Sequence, residues 1–147
     1  MRVIPAPCNA GDKENSLVSD AQTVKILAVD DSKTMLAMIA AHLKGSNFEV
    51  VAMASSGQEA LEKYQTHRPQ VVLLDIVMPE VTGVETLERI LDSDGGANVV
   101  MVSSIGTEAA VHDCLNKGAK GFLQKPLNKE SMLTLLKSVC QEAGVAL

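Results

Sequence analysis

Residues 71–83 read VVLLDIVMPEVTG. Four apolar residues run straight into Asp75, followed by Pro79, Gly83 and a helical pattern. A short apolar run bounded by turn residues reads as a strand buried on both faces. An ionised carboxylate at the end of such a strand is costly unless something pairs with it. The fold and the function both depend on what Asp75 meets.

Working outward, the same design recurs. VKILAVDD (24–31) is an apolar run ending in Asp30 and Asp31, and FEVVAMA (48–54), ANVVMVSS (97–104) and GFLQ (121–124) are further strand candidates. Helical spacing separates them. SKTMLAMIAAHLK (32–44) opens on Ser32 as N-cap, places Leu36, Ile39, Ala40 and Leu43 on one face, and is closed by Gly45. Ser56 with Glu59, and Thr82 with Glu85, have capping-box spacing. Val84, Leu87 and Leu91 form the inner stripe of the helix after Thr82, and Val111, Cys114 and Leu115 lie on one side of the next, with Gly118 as its C-cap. In residues 128–143, Met132, Leu135, Leu136 and Val139 face inward. Strict strand–helix alternation predicts βαβ units, a parallel five-stranded sheet with right-handed crossovers, and a doubly wound α/β sandwich.

Composition narrows the function classes. The 147 residues suit one domain. A net charge of −5, no Trp, one Tyr and two Phe argue against a nucleic-acid partner, which needs basic surface and stacking rings. No apolar run is long enough to span a bilayer, and the N-terminus lacks a continuous apolar signal core. Cys8, Cys114 and Cys140 form no C-x-x-C pair, so free thiols and a cytoplasmic location are expected. His42, His67 and His112 lack metal-ligand spacing. Residues 1–23 show no period and read as a flexible N-terminal extension, 24–143 as the folded domain and 144–147 as a C-terminal tail.

The polar residues collect at strand ends: Asp30 and Asp31 after the first, Asp75 on the third, Ser103 and Ser104 on the fourth, Lys125 after the fifth. In a parallel sheet these ends share one edge, where open α/β sheets bind ligands. Singly, each has a plainer explanation: Asp30 and Asp31 as helix caps, Ser103 as a local hydrogen-bonder, Lys125 as a solvated cation. Together they predict one pocket. Three crowded carboxylates repel, and a divalent cation with oxygen ligands, Mg²⁺ before Ca²⁺, resolves this. Asp31 and Asp75 are the expected direct ligands, with Asp30 acting through water and the Val77 backbone carbonyl completing the set. The same group suits phosphoryl transfer onto Asp75 as nucleophile, with Lys125 and Ser103 contacting the phosphoryl oxygens.

The motifs AVDDS (28–32), LLDIVMPEVTG (73–83), MVSS (101–104) and GAKGFLQKP (118–126) resemble the receiver domain of bacterial two-component response regulators, closest to the single-domain CheY-like type. The resemblance covers residues 24–143. It implies a (βα)5 flavodoxin-like fold with strand order 2-1-3-4-5, and a signalling switch rather than an enzyme. It implies phosphorylation of Asp75 by a histidine kinase or phosphotransfer protein with Mg²⁺, with Ser103 as switch hydroxyl and Phe122 as switch aromatic. A cis bond between Lys125 and Pro126 is also implied. The downstream partner protein would dock on the face of the fourth helix, fifth strand and fifth helix, with the domain a monomer or weak dimer. Chemotaxis and other phosphorelays stay open. Phe122 stands where Tyr is frequent in the family, and Val77 and Ile105 are apolar where polar groups assist hydrolysis, so slow self-dephosphorylation is expected. The alternatives are a metal-dependent aspartyl-phosphate hydrolase, which lacks a general acid at Val77, and a flavin module, which lacks a phosphate-cradling loop.

Overall fold

The computed structural model describes residues 23–78 and 82–144. Five strands and five helices alternate: β1 (Val24–Val29), α1 (Lys33–Leu43), β2 (Phe48–Ala54), α2 (Gly57–His67), β3 (Val71–Asp75), α3 (Gly83–Ser93), β4 (Val99–Ser103), α4 (Glu108–Asn116), β5 (Gly121–Gln124) and α5 (Lys129–Ala143). All strand pairs are parallel, in the order β2-β1-β3-β4-β5. The expected doubly wound architecture is the observed one. The expected extension and tail, apart from Thr23 and Gly144, lie outside the described residues.

The strand period of two sorts the core. On one face Ile26, Ala28, Leu73 and Val100 pack against Leu36, Ile39 and Leu43 of α1 and Met132, Leu136 and Val139 of α5. On the other, Leu27, Val29, Leu74 and Met101 meet Ala60 and Tyr64 of α2, Leu87 and Ile90 of α3 and Cys114 of α4. Apart from exposed Lys25 and the polar residues at the strand ends, the three central strands are therefore apolar at successive positions, because both faces of the sheet are covered. Each large aliphatic side chain removed from water contributes about 1.5–3 kcal/mol.

Side-chain caps set where the helices begin. Ser32, Ser56, Thr82, Thr107 and Asn128 each accept a hydrogen bond from the backbone N–H three residues on, each cap contributing about 1 kcal/mol. The Glu59 carboxylate closes its box on the N–H of Ser55 rather than of Ser56. Glu85 pairs with Arg89 one turn on, at 3.6 Å.

Helix α4 is only thinly covered. Of Val111, Cys114 and Leu115, only Cys114 is buried; Val111 is half-buried and Leu115 is 44% exposed. The helix has nine residues and packs chiefly on the four-residue edge strand β5, which offers too little surface for a second buried row. In α3 the buried stripe includes Ile90, with Val84 and Leu91 at its margins. In α5 Cys140 is buried, whereas Leu135 is half-buried.

Candidate functional site

The crossovers bring the carboxyl ends of β1, β3, β4 and β5 to one edge, and with them the polar residues. Asp30, Asp75 and Ser103 are almost fully buried, at 1%, 4% and 1% exposure, while Asp31 is exposed at the rim. One carboxylate oxygen from each of Asp30, Asp31 and Asp75 lies within 4.8 Å of the others. The Lys125 ammonium reaches in from the far side, 3.0 Å from Asp30 Oδ2 and 3.4 Å from Asp75 Oδ1. The acids that end β1 and β3 thus meet a lysine that follows β5.

Backbone bonds beyond the strands hold these groups. The Asp30 N–H donates to the Ala54 carbonyl, Ile76 N–H to Val102 and Lys125 N–H to Ser103, at 3.0, 3.1 and 2.8 Å. The Lys125–Pro126 bond is cis. Both Asp30 oxygens are engaged, Oδ1 by the Ser32 N–H at 2.9 Å and Oδ2 by Lys125. The Val77 N–H hydrogen-bonds to Asp75. The Ser103 hydroxyl oxygen accepts the Ile105 N–H at 3.0 Å, which leaves its own proton to donate. Phe122 is half-buried and packs on the α2–α4 core, taking no part in the polar contacts of the pocket.

Electrostatics follow from this crowding. Burial, then the neighbouring Asp30 charge, pushes the Asp75 carboxyl above the usual carboxylate range; Lys125 and the Val77 N–H pull it back only in part. Burial alone would lower Lys125, but its hydrogen bond to Asp30 and the Asp75 and Asp30 charges outweigh that and raise it. Three carboxylates against one ammonium leave two negative charges in the pocket. Hard oxygen donors with that residual charge fit a divalent cation.

Gly83 is a contributor that the sequence reading left without a role. A Cβ at Gly83 would overlap the Asp75 carbonyl oxygen and come within 2.6 Å of Ile76 Cα. Its N–H donates to the Ile76 carbonyl at 2.8 Å, closing the loop after Asp75. The first turn of α3 therefore stacks directly on the Asp75 backbone, and only glycine permits that approach. The sequence signal was a glycine at a helix start, where Ala or Glu would favour the helix more.

Residues 26–137 match the response regulator receiver domain family. The chemotaxis protein CheY of Listeria monocytogenes is 42% identical over 118 residues, covering 80% of this chain and 99% of the relative. That of Bacillus subtilis is 41% identical over 109 residues, covering 74% and 91%. Among solved structures, the CheX–CheY–BeF3–Mg²⁺ complex of Borrelia burgdorferi contains a similar chain, with a TM-score of 0.77 at 34% identity over 82% of this chain and 97% of that one. The fold, the acidic pocket and these likenesses agree: the chain belongs to the response regulator receiver domain family, and it is a phosphorylation-driven switch, a phospho-acceptor rather than a classical enzyme.

Proposed function

We propose that Asp75 is the phospho-acceptor and that Asp31 and Asp75, with the Val77 carbonyl, hold Mg²⁺ directly while Asp30 acts through water. The observation that carries this reading is the convergence of three acids within 4.8 Å and of Lys125 on two of them. Both oxygens of Asp30 are already engaged, which suits its indirect role. Bound Mg²⁺ would supply positive charge against the phosphoryl oxygens.

As a receiver the chain has a kinase partner, and the donor is a phosphohistidine of that kinase or of a phosphotransfer protein. A carboxylate oxygen of Asp75 attacks the phosphorus. The P–O bond forms, the P–N bond breaks, and the departing imidazole takes a proton from solvent. Lys125, held by Asp30, stays beside Asp75 to meet the phosphoryl charge. The Ser103 proton then turns to a phosphoryl oxygen, drawing the β4–α4 loop with it, and Phe122 follows into the space behind.

Output passes to a partner protein on the α4–β5–α5 face. Leu115 and half-buried Val111 leave apolar surface on α4, and a groove between β5 and α5 is lined by Phe122, Glu130, Ser131 and Leu135. The CheY name of the curated relatives favours a chemotaxis pathway. No described helix is long and apolar enough to cross a membrane. The buried free thiols Cys114 and Cys140 suit the cytoplasm. The receiver unit spans 24–143, behind an N-terminal extension.

The deciding test is acetyl phosphate or beryllofluoride with and without Mg²⁺, read by mass or by NMR. One phosphoryl per chain on Asp75, dependent on Mg²⁺, is expected; steady turnover of a generic phosphate ester would instead support the hydrolase. Val77 and Ile105, 61% and 50% exposed, border the pocket with apolar side chains that cannot orient an attacking water. Phospho-Asp75 is therefore expected to outlast seconds in excess Mg²⁺, and decay within seconds would overturn that point alone.

A further inference from the structure

The loop after β4 carries the Ser103 hydroxyl but is itself exposed from Ser104 to Thr107. One side chain from another strand lies on it. In the parallel register Gln124, the last residue of β5, stands opposite Ser103. A Cβ built on Gly106 would overlap Gln124 Oε1 and come within 2.5 Å of its Cδ and 2.9 Å of its Nε2. The Gln124 carboxamide thus fills a notch that exists only because residue 106 has no side chain. Beneath it, the Lys125 N–H is bonded to the Ser103 carbonyl at 2.8 Å and the Ile105 N–H to the Ser103 hydroxyl at 3.0 Å. The carboxamide lies against a turn whose first residue is buried and whose far end, Thr107, is held by the cap of α4.

We propose that Gln124 and Gly106 form a brace that holds the β4–α4 loop in its resting arrangement and so sets how readily Ser103 turns toward an occupied Asp75. Neither residue touches the phosphoryl group; both act through the loop, as positioning residues. A contact made in only one of two states biases the equilibrium toward that state. The contact accompanies the arrangement in which the Ser103 hydroxyl accepts the Ile105 N–H; in this proposal it is made in that arrangement alone, so loosening it favours the activated one. This inference rests on the assignment of Asp75 and Ser103 given above.

The experiment is beryllofluoride titration of the full chain at fixed, saturating Mg²⁺, followed by fluorine NMR, for the parent, Gln124→Ala, Gly106→Ala and the double variant. Gln124 is a flexible surface side chain, so Gly106→Ala can displace it without disturbing the core. Each single variant is expected to bind beryllofluoride about two- to thirtyfold more tightly. The double variant should gain no more than the better single one, because both remove the same contact. The Mg²⁺ half-saturation of the unmodified protein should be the same in all four. Unchanged or weaker binding in Gln124→Ala, or additive gains in the double variant, would overturn the brace; a gain in Gly106→Ala alone would reveal a loop-entropy effect and also overturn it. A parent that binds no beryllofluoride would instead defeat the acceptor assignment itself.

Discussion

The floor of the pocket and the segment that follows β4 are held in opposite ways. Asp30 and Asp75 end strands whose residues are buried almost throughout, β3 at every position. Their carboxylates are gripped by Lys125, and the loop after Asp75 is closed by Gly83. Residues 104–107 are exposed, and the helix after them buries Cys114 alone. Segments with few buried apolar contacts open at low free energy. The contrast teaches that the two are anchored differently: the acids sit on the buried sheet, and the helix that the proposed switch displaces is attached by one buried residue and a few hydrogen bonds.

The sharpest way to break the comparison is at the floor. Asp75→Asn is expected to abolish labelling by acetyl phosphate, read by intact mass, and to weaken Mg²⁺ binding. Because burial raises the Asp75 pKa, its charge opposes folding at neutral pH; the thermal midpoint of Asp75→Asn should be no lower than that of the parent. Next comes a matched pair of truncations. Leu87→Ala, at a fully buried position in α3, should cost about 2–5 kcal/mol in urea unfolding. Leu115→Ala on α4, at 44% exposure, should stay within about 0.5 kcal/mol. Equal costs would erase the distinction between the well-buried helix that packs behind Asp75 and the thinly covered α4.

Gly83→Ala should cost about 1–3 kcal/mol, as overpacking does, and should also raise the Mg²⁺ half-saturation of the folded protein, because the new methyl displaces the Asp75 backbone. A lower midpoint with unchanged Mg²⁺ affinity would confine Gly83 to folding. A modest effect lies away from the site. Tyr64 donates to Asp94 Oδ2 at 2.8 Å, tying α2 to the loop after α3. Tyr64→Phe should lose about 1 kcal/mol. Burial, then the Asp94 bond, raises the Tyr64 pKa from 10.0 to about 12. A raised folded-state pKa gives stability that is complete below pH 10.0 and lost as pH rises toward about 12. That alkaline loss, followed by circular dichroism, should be smaller in Tyr64→Phe, the buried Cys114 and Cys140 thiols, also pushed up by burial, supplying what remains.

Much of this was legible in the residues. Apolar runs of strand length, separated by capped helical periods, can bury their surface only as a parallel sheet covered on both sides, and each strand-end charge then falls on one edge. Asp30, Asp31, Asp75, Ser103 and Lys125 were found that way. In α4 periodicity reports that Val111, Cys114 and Leu115 share a side, not whether the neighbouring element is large enough to cover it; β5, four residues long at the sheet edge, leaves Leu115 exposed.

By itself, then, the sequence determined the order of elements, their caps, the sheet class and the set of polar groups at the strand ends, because these depend on local period and on a topology with few alternatives. Strand order came from the family likeness, not from the period. Only the tertiary structure decided that Lys125 bridges Asp30 and Asp75, that Gly83 is pressed on the Asp75 carbonyl, and that Gln124 lies over Gly106. Those contacts join residues distant along the chain at van der Waals or hydrogen-bond range, and such distances are set by the packing of whole elements rather than by any local pattern.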